Sequence, residues 1–249
     1  MLRSVIPSST SRLRHSPCWL ALLLLTLAGC DTKPEPAWFP LNTGSYWTYQ
    51  VSTDTDGVTR RDMQTISIAG VGAMKGRPVY TRRSELSGNI GVDYLLQVGP
   101  DAITRIAQRT DLQELPVADE KPRTVMTLPL RQGATWNTPT VAYAVLRKTE
   151  YPRELKYSRT LPMLYTVEAM DDKVEVPAGV FTQCARVVGR ADLTIYADPV
   201  SGFRKTPITT TEWYCKDVGL VKLVRTETID TSFFSGGKIE MVLTDYRIR

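Results

Sequence analysis

Few residues of this chain have the types and spacing that enzyme chemistry requires. Ser235-Gly236-Gly237-Lys238 has the Ser-x-x-Lys spacing of penicillin-recognising enzymes, in which a helix places the lysine one turn from the serine. Two glycines and a β-branched residue after them disfavour a helix, and Lys205-Thr206 is followed by proline where those enzymes have glycine. We therefore predict a hairpin loop over residues 232–237 instead of a catalytic helix.

Carboxylates are the second source of chemistry in this sequence. Asp171-Asp172, with Glu168 or Glu175 nearby, would suit acid–base work, but adjacent residues of a strand point to opposite faces. We predict a turn at this aspartate pair. Asp54-Thr55-Asp56-Gly57 resembles the start of a calcium loop, yet it lacks the third acidic ligand and the distal glutamate. We predict a hairpin turn there, and the sequence indicates no catalytic residue and no metal site.

The single histidine, His15, lies close to the N-terminus, in a segment that we predict to be removed. A mature chain without histidine lacks the commonest general base, the Ser-His and Cys-His pairs and the commonest metal ligand. We therefore predict a protein that needs no cofactor and is not an enzyme.

Residues 1–29 have the pattern of a signal peptide. Arg3, Arg12 and Arg14 precede an apolar run at Trp19–Ala28, which is too short to span a bilayer. Leu27-Ala28-Gly29-Cys30 resembles the bacterial lipobox. The resemblance implies cleavage before Cys30, diacylglycerol on its thiol and acylation of its amine, for example by palmitate. The alternative is an ordinary signal peptide followed by a chance cysteine.

Removal of this segment changes the charge and indicates the location. Three of the 31 basic residues are lost and all 26 acidic residues stay, so the mature chain carries 28 against 26, or +2, and we predict no nucleic-acid partner. Residues 30–37 form a lipidated tether, which after Cys30 spans at most about 25 Å. Asp31 resembles the retention signal of enteric lipoproteins. We therefore favour the periplasmic face of the inner membrane over the outer membrane.

Of the four cysteines, Cys18 lies in the predicted signal peptide and Cys30 would carry the lipid. The other two, Cys184 and Cys215, favour one disulfide in an oxidising periplasm. Such a bridge would close a loop of about 30 residues and contribute about 3 kcal/mol to the free energy of unfolding. The alternative is a reactive thiol, but neither cysteine has a nearby histidine or a Cys-x-x-Cys partner.

Residues 38–249 form the body, and their pattern predicts an all-β fold. Short runs of β-branched and aromatic residues alternate with Gly, Pro and Asp turns, and helical periodicity is nearly absent. We predict an antiparallel meander that forms a curved sheet or half-barrel. The acidic segment 111–121 is poorly patterned and is predicted to be a loop.

Two stretches suggest an internal repeat. Phe39–Trp47 and Leu128–Trp136 share Pro-Leu, two residues, Gly, two residues and Trp. A second set of residues matches at one constant offset: Tyr94, Val98, Gly99, Ile103 and Arg105 with Tyr214, Val218, Gly219, Leu223 and Arg225. We predict two similar halves, about 38–125 and 126–249. The alternative is chance convergence of strand openings and hairpins.

Three tryptophans, Trp47, Trp136 and Trp213, are candidates for a ligand cleft. In β proteins such residues more often fill the core, so both interpretations stay open here.

The segments Val176–Val187 and Trp213–Lys222 resemble bacterial envelope lipoproteins with a VPAG-x-F turn-strand and a W-Y-x-x-x-V-G-L-V-K hairpin, the TapB-like lipoproteins of unassigned function. The opening Phe39–Trp47 and its second copy fit the same pattern. The resemblance implies a β-rich envelope lipoprotein and transfers no catalytic residue.

Taken together, these patterns predict a non-enzymatic, membrane-anchored periplasmic lipoprotein that acts as a binding or envelope-assembly module. Its partners would be the membrane, through the lipid anchor, and either an envelope protein or a lipid-like ligand in a concave β face. The alternative from another class is a metal-independent envelope hydrolase that uses Asp or Glu.

Overall fold

The computed structural model describes residues 37–148 and 160–249, and their regular structure is entirely β. The predicted signal peptide, Cys30, Asp31 and nearly all of the predicted tether lie outside the described residues. None of the described residues belongs to a helix that could cross a bilayer. The strands are β1 (Tyr46–Thr55), β2 (Val58–Met74), β3 (Arg77–Leu86), β4 (Val92–Val98), β5 (Ala102–Thr110), β6 (Val117–Thr127), β7 (Thr135–Thr140), β8 (Leu146–Arg147), β9 (Leu161–Val176), β10 (Gly179–Asp198), β11 (Gly202–Cys215), β12 (Gly219–Asp230) and β13 (Phe234–Arg247).

All strands belong to one antiparallel sheet made of two meanders. The first runs β1 to β6, and the second runs β7, then β9 to β13, with each strand beside the next. The meanders join where β1 pairs with β13, from Tyr46 opposite Arg247 to Thr55 opposite Gly237. At the other seam the edge strands adjoin, because the Thr138 hydroxyl on β7 donates to the Thr124 carbonyl on β6. The predicted all-β meander is confirmed, and it curls until it is nearly closed.

The internal repeat is visible in the backbone of the two strand openings. Gly44 and Gly133 have φ of +86° and +81°, a region that favours glycine. The Gly44 amide donates to the Ile68 carbonyl at 2.9 Å, and the Gly133 amide donates to the Val167 carbonyl at 2.8 Å. Each opening therefore attaches to the next strand of its own meander in the same way.

The second matched set occupies the equivalent hairpin in each half. Tyr94 to Arg105 span β4 and β5, the fourth and fifth strands of the first meander. Tyr214 to Arg225 span β11 and β12, which are the fourth and fifth strands of the second. The first meander ends at Thr127, and the second begins at Thr135.

Tight turns set the register of the first meander. Asp56-Gly57 joins β1 to β2 and Lys75-Gly76 joins β2 to β3, and all four residues have positive φ. This is the geometry of the type I′ turn, whose twist matches that of a β-ribbon. The predicted hairpin turn at residues 54–57 is confirmed.

Three local predictions were wrong. Residues 117–121 belong to edge strand β6 although most of them are exposed, because an edge strand needs no apolar face. Asp171 and Asp172 lie within β9, which runs unbroken to Val176. Ser235 to Lys238 lie within β13, where Gly236 leaves space for the carbonyl of Glu227 on β12. The two glycines therefore permit close strand approach and do not form a loop.

Candidate functional site

The three tryptophans divide between core and surface. Trp47 and Trp136 are buried, at 4% and 8% exposure, whereas Trp213 is half-buried. The Trp47 indole N–H donates to the Val218 carbonyl at 2.7 Å. The Trp213 indole donates to an Asp172 carboxylate oxygen at 3.0 Å. Trp47 and Trp136 therefore fill the core and do not line an open cleft.

Cys184 and Cys215 form the predicted disulfide. They lie directly opposite each other on β10 and β11, with Cα atoms 4.0 Å apart, and both are buried. They pack in a cluster with Trp47 and Tyr49 of the first meander. The bridge is structural, because neither sulfur is free to react.

A cluster of side chains surrounds the carboxylate of Glu212 on the concave face of the sheet. The Tyr214 hydroxyl donates to a Glu212 carboxylate oxygen at 2.6 Å, and the Tyr165 hydroxyl also hydrogen-bonds to this carboxylate. Phe39 contacts Tyr214, with ring centroids 6.4 Å apart, and the Arg82 guanidinium lies 5.5 Å from the centre of the Phe39 ring. Since Arg82 is on β3 and Tyr214 on β11, these side chains meet across the concave face.

Neighbouring residues position the ring of Tyr165. It stacks on Trp136, with centroids 5.4 Å apart and planes 6° from parallel. A Cβ on Gly189 of β10 would lie 2.8 Å from Tyr165 Cε1 and 2.7 Å from Thr210 Cγ2. A glycine at this position therefore leaves room for the tyrosine beside Glu212. β10 continues through Gly189 as one strand.

Burial controls the acidity of this cluster. Burial raises the pKa of Glu212, and hydrogen bonds from Tyr214 and Tyr165 with the charges of Arg225 and Arg82 oppose that rise. The pKa of Tyr214 is raised well above its ordinary value by burial and by the Glu212 charge. Glu212 is thus a carboxyl group that can hold a proton at higher pH than a solvated glutamate.

A buried ion pair anchors the segment that follows β7. Arg225 Nε donates to Glu227 Oε1 at 2.6 Å, and both side chains are buried. The Glu227 carboxylate also accepts the amides of Tyr143, Ala144 and Val145 at distances between 2.7 and 3.1 Å. Every oxygen of this carboxylate is therefore used to hold residues 143–145 against β12.

The concave face therefore contains paired charges and packed aromatic rings. Within residues 37–148 and 160–249, no group of three or more Cys, Asp or Glu side chains is placed to hold a metal ion. In chemical terms, the arrangement can accept or donate a proton at Glu212.

The described chain begins at one end of the sheet, which we call the entry end. The Ala37 amide donates to Asp217 Oδ1 at 3.2 Å, in the turn between β11 and β12. Gly219 packs against the ring of Pro40 at the same end. The C-terminal residue lies there too, since the Asn42 side chain donates to the Arg249 carbonyl at 2.5 Å.

The opposite end, which we call the far rim, carries exposed apolar side chains. It comprises the connections at 56–57, 87–91, 111–116, 141–148, 199–201 and 231–233 with the adjoining strand ends. Each connection has at least one exposed large apolar residue in it or beside it: Val58, Ile90, Leu112, Leu115, Val117, Tyr143, Tyr196, Val200, Phe203 and Phe233. Phe203 is 74% exposed, and its ring meets Tyr196 edge-on at 5.4 Å.

Sequence reasoning missed Glu212, although the pattern contains a signal for it. Glu212 precedes Tyr214 by two residues, so on a strand both side chains point to the same face. The neighbours Tyr165 and Arg82 come from distant parts of the chain, and only the closed sheet brings them together.

No protein-family model matches this chain, and comparison with characterised proteins finds no significant match. Two solved structures are similar in fold. One is a protein from Bacteroides fragilis described as exported with a YmcC-like fold, with 12% identity, a TM-score of 0.46, and coverage of 84% of this chain and 98% of that one. The other is a protein from Parabacteroides distasonis described as a lipoprotein, with 12% identity, a TM-score of 0.42 and the same coverage. Similarity at this level carries no functional argument.

Proposed function

We propose that this protein is a lipid-anchored lipoprotein of the bacterial envelope, facing the periplasm, that acts as a non-enzymatic binding or assembly module. The observation that carries this proposal is that every connection of the far rim carries an exposed large apolar residue and that the chain enters at the opposite end, through Ala37. Exposed apolar side chains at the entry end include Val71, Met74, Val98 and Val180, on the side that the tether would hold near the membrane. A short tether from Cys30 would hold the entry end near the membrane and leave the far rim available to a partner.

The anchor is tested at Cys30. We expect wild-type protein to incorporate labelled palmitate and sediment with membranes, and Cys30→Ala to do neither. Membrane association of Cys30→Ala through an uncleaved signal peptide is recognised by its larger mass. Incorporation of label by Cys30→Ala would contradict the anchor.

The inner-membrane location is tested at Asp31, by density fractionation of wild type beside Asp31→Ser. We expect the wild type in the inner membrane and the variant in the outer membrane. Finding both in the outer membrane would contradict retention and leave lipid anchorage intact.

The partner that we propose for the far rim is an envelope protein. Large exposed apolar residues at every far-rim connection are the kind of surface that proteins bury against one another. The concave face favours a lipid-like ligand less, because Trp47 and Trp136 are buried and the Glu212 cluster lies beside Trp136. The TapB-like resemblance is compatible with this function and remains a prediction.

The docking surface is tested by photocrosslinking in intact cells. A crosslinker at Phe203 or Leu115 should give one shared adduct, and a crosslinker at Val98, which is exposed at the entry end of β4, should give none. Phe203→Ser should weaken the Leu115 adduct without changing protein level. Equal adducts from Val98, or none from either rim position, would contradict the proposal.

A metal-independent hydrolase is the second candidate, and the raised pKa of Glu212 is the observation that favours it. Activity screening of the purified protein should then detect hydrolysis. Glu212→Gln should abolish this hydrolysis, and Tyr214→Phe should change its dependence on pH. Hydrolysis that survives Glu212→Gln would exclude this residue as the acid.

A further inference from the structure

The hairpin between β2 and β3 projects from the body at the entry end. β1 pairs with β2 only as far as Ser67, and β4 pairs with β3 only from Tyr80 onwards. Residues 70–74 pair with β3 and with no other strand, and residues 77–79 of β3 pair only with β2. Residues 71–78 are all exposed. We call residues 69–78 the entry hairpin.

The composition of the entry hairpin is unusual for an exposed ribbon. Residues 69–74 read Ala-Gly-Val-Gly-Ala-Met and contain no charged or hydrogen-bonding side chain. Val71 is 58% exposed and Met74 is 40% exposed. A two-stranded ribbon is marginally stable in water on its own, so an apolar one without a covering surface needs a reason.

The charges on and beside the hairpin are all positive. Lys75 and Arg77 lie at its tip, Arg82 and Arg83 follow on β3, and no acidic residue occurs between Asp62 and Glu85. Arg82 and Arg83 have partners within the body, whereas the tip pair is exposed. An apolar ribbon tipped by lysine and arginine complements an anionic lipid surface, because the acyl region takes the apolar side chains and the phosphates take the cations.

The position of the hairpin agrees with this partner. The Ile68 amide and carbonyl bond to Ser45 and Gly44, so the hairpin starts at the level where the chain enters the body. From Ile68 to Met74 a strand extends about 20 Å. The seven residues that follow Cys30, up to Ala37, span at most about 25 Å. The length of the hairpin and the maximum length of the tether are similar, so the tip of the hairpin can contact a membrane that holds Cys30.

We propose that the tip of the entry hairpin inserts the Met74 side chain into the anionic leaflet that holds the lipid anchor, with Lys75 and Arg77 beside it at the level of the phosphates. This proposal rests on the lipid anchorage proposed above. It adds a second, sequence-encoded membrane contact that would fix the orientation of the body and direct the far rim away from the bilayer.

The test uses the full lipidated protein in vesicles of phosphatidylcholine and phosphatidylglycerol. With Cys30 acylated and Cys184 bonded to Cys215, Met74→Cys supplies a single free thiol for an environment-sensitive fluorophore. The matched control is Val58→Cys, which lies beside the other type I′ turn at the far rim. We expect the probe at residue 74 to shift to the blue and to be quenched by brominated lipid, and the probe at residue 58 to do neither.

The charged tip predicts a dependence on lipid headgroup. Lys75→Gln with Arg77→Gln should lower the ratio of inserted to free hairpin by roughly fivefold for each lost charge. Zwitterionic vesicles should have a similar effect on the unchanged tip.

The outcomes separate this inference from the anchor. Flotation of the protein with vesicles while the probe at residue 74 stays in water would overturn insertion and leave the anchor standing. Failure to float would overturn both. Shielding of residue 74 in native membranes but not in protein-free vesicles would indicate a protein contact and overturn insertion.

Discussion

The two meanders share a frame but treat one matched arginine differently. Arg105 on β5 pairs with Asp119 on β6 at 2.8 Å and keeps 16% of its side chain exposed. Arg225, in the same place on β12, pairs with the fully buried Glu227 of its own strand. The repeat therefore determines where the arginine lies, and another part of the structure determines how deeply it is buried.

That other part is the connection after the first strand of each meander. In the first half, Asp56-Gly57 joins the strands directly. In the second half, residues 141–160 separate β7 from β9, and Tyr143 to Val145 attach to Glu227. The second half also contains the disulfide. The longer connection of the second half therefore covers the ion pair of Arg225.

The largest difference between the halves should appear at these two ion pairs. Glu227→Gln leaves Arg225 buried without its counter-charge. It also replaces one of the two acceptor oxygens by an NH2 group, which cannot accept the backbone N–H groups of residues 143–145. We expect it to lower the free energy of unfolding by about 3–5 kcal/mol. Asp119→Asn, the matched change in the first half, should cost about 1–2 kcal/mol because Arg105 keeps access to water. Urea unfolding measures both, and equal losses would contradict the contrast.

The disulfide should come next. Replacing Cys184 and Cys215 together by serine should lower the free energy of unfolding by about 3 kcal/mol, because the unfolded chain gains freedom over a separation of 31 residues. Thermal unfolding measures the change, and wild type in reductant should approach the variant. An unchanged midpoint together with unchanged non-reducing gel mobility would refute the bridge.

Substitution of one glycine in each half should have different effects on stability, because Gly189 of the second half is surrounded by side chains and Gly70 of the first half is not. Gly189→Ala brings a methyl group against Thr210, Met163 and Tyr165, so we expect a loss of about 1–3 kcal/mol. Gly70→Ala on β2 meets no atom within 4 Å and should stay within about 0.5 kcal/mol of wild type. Chemical denaturation tests the pair, and a larger effect at Gly70 would contradict the packing.

The smallest effect should be an opposite dependence on pH in the two halves. Burial raises the pKa of Glu212, so its stabilisation is present below the ordinary value of 4.5 and is lost as pH rises through the folded-state pKa. The Arg83 hydrogen bond lowers the pKa of Asp111, whose stabilisation is present above 3.8 and is lost as pH falls.

Unfolding of Glu212→Gln and Asp111→Asn across pH checks these signs. Relative to its own variant, wild type should lose stability with rising pH at Glu212 and with falling pH at Asp111. The same sign for both would show that burial does not control the acidity of Glu212.

Much of this architecture could be read from local patterns. Asp56-Gly57 predicted a hairpin because few residue pairs accept positive φ twice. The shared spacing around Trp47 and Trp136 predicted the repeat because a strand opening has local requirements. The predictions of a loop at Ser235–Lys238 and a turn at Asp171-Asp172 were wrong because glycines and paired acids are typical of turns. Within a large sheet, contacts from neighbouring strands outweigh those preferences.

Sequence by itself determined the all-β class, the hairpin turns, the duplicated openings and the pairing of two cysteines, because each depends on a few residues close in the chain or on composition. Only the tertiary structure decided that β1 meets β13, that Glu212 lies among Tyr165, Tyr214 and Arg82, and that Arg225 is buried where Arg105 is not. It also separated the entry hairpin from the far rim. These relations depend on how the meanders close on each other, and long-range closure leaves no local pattern in the chain.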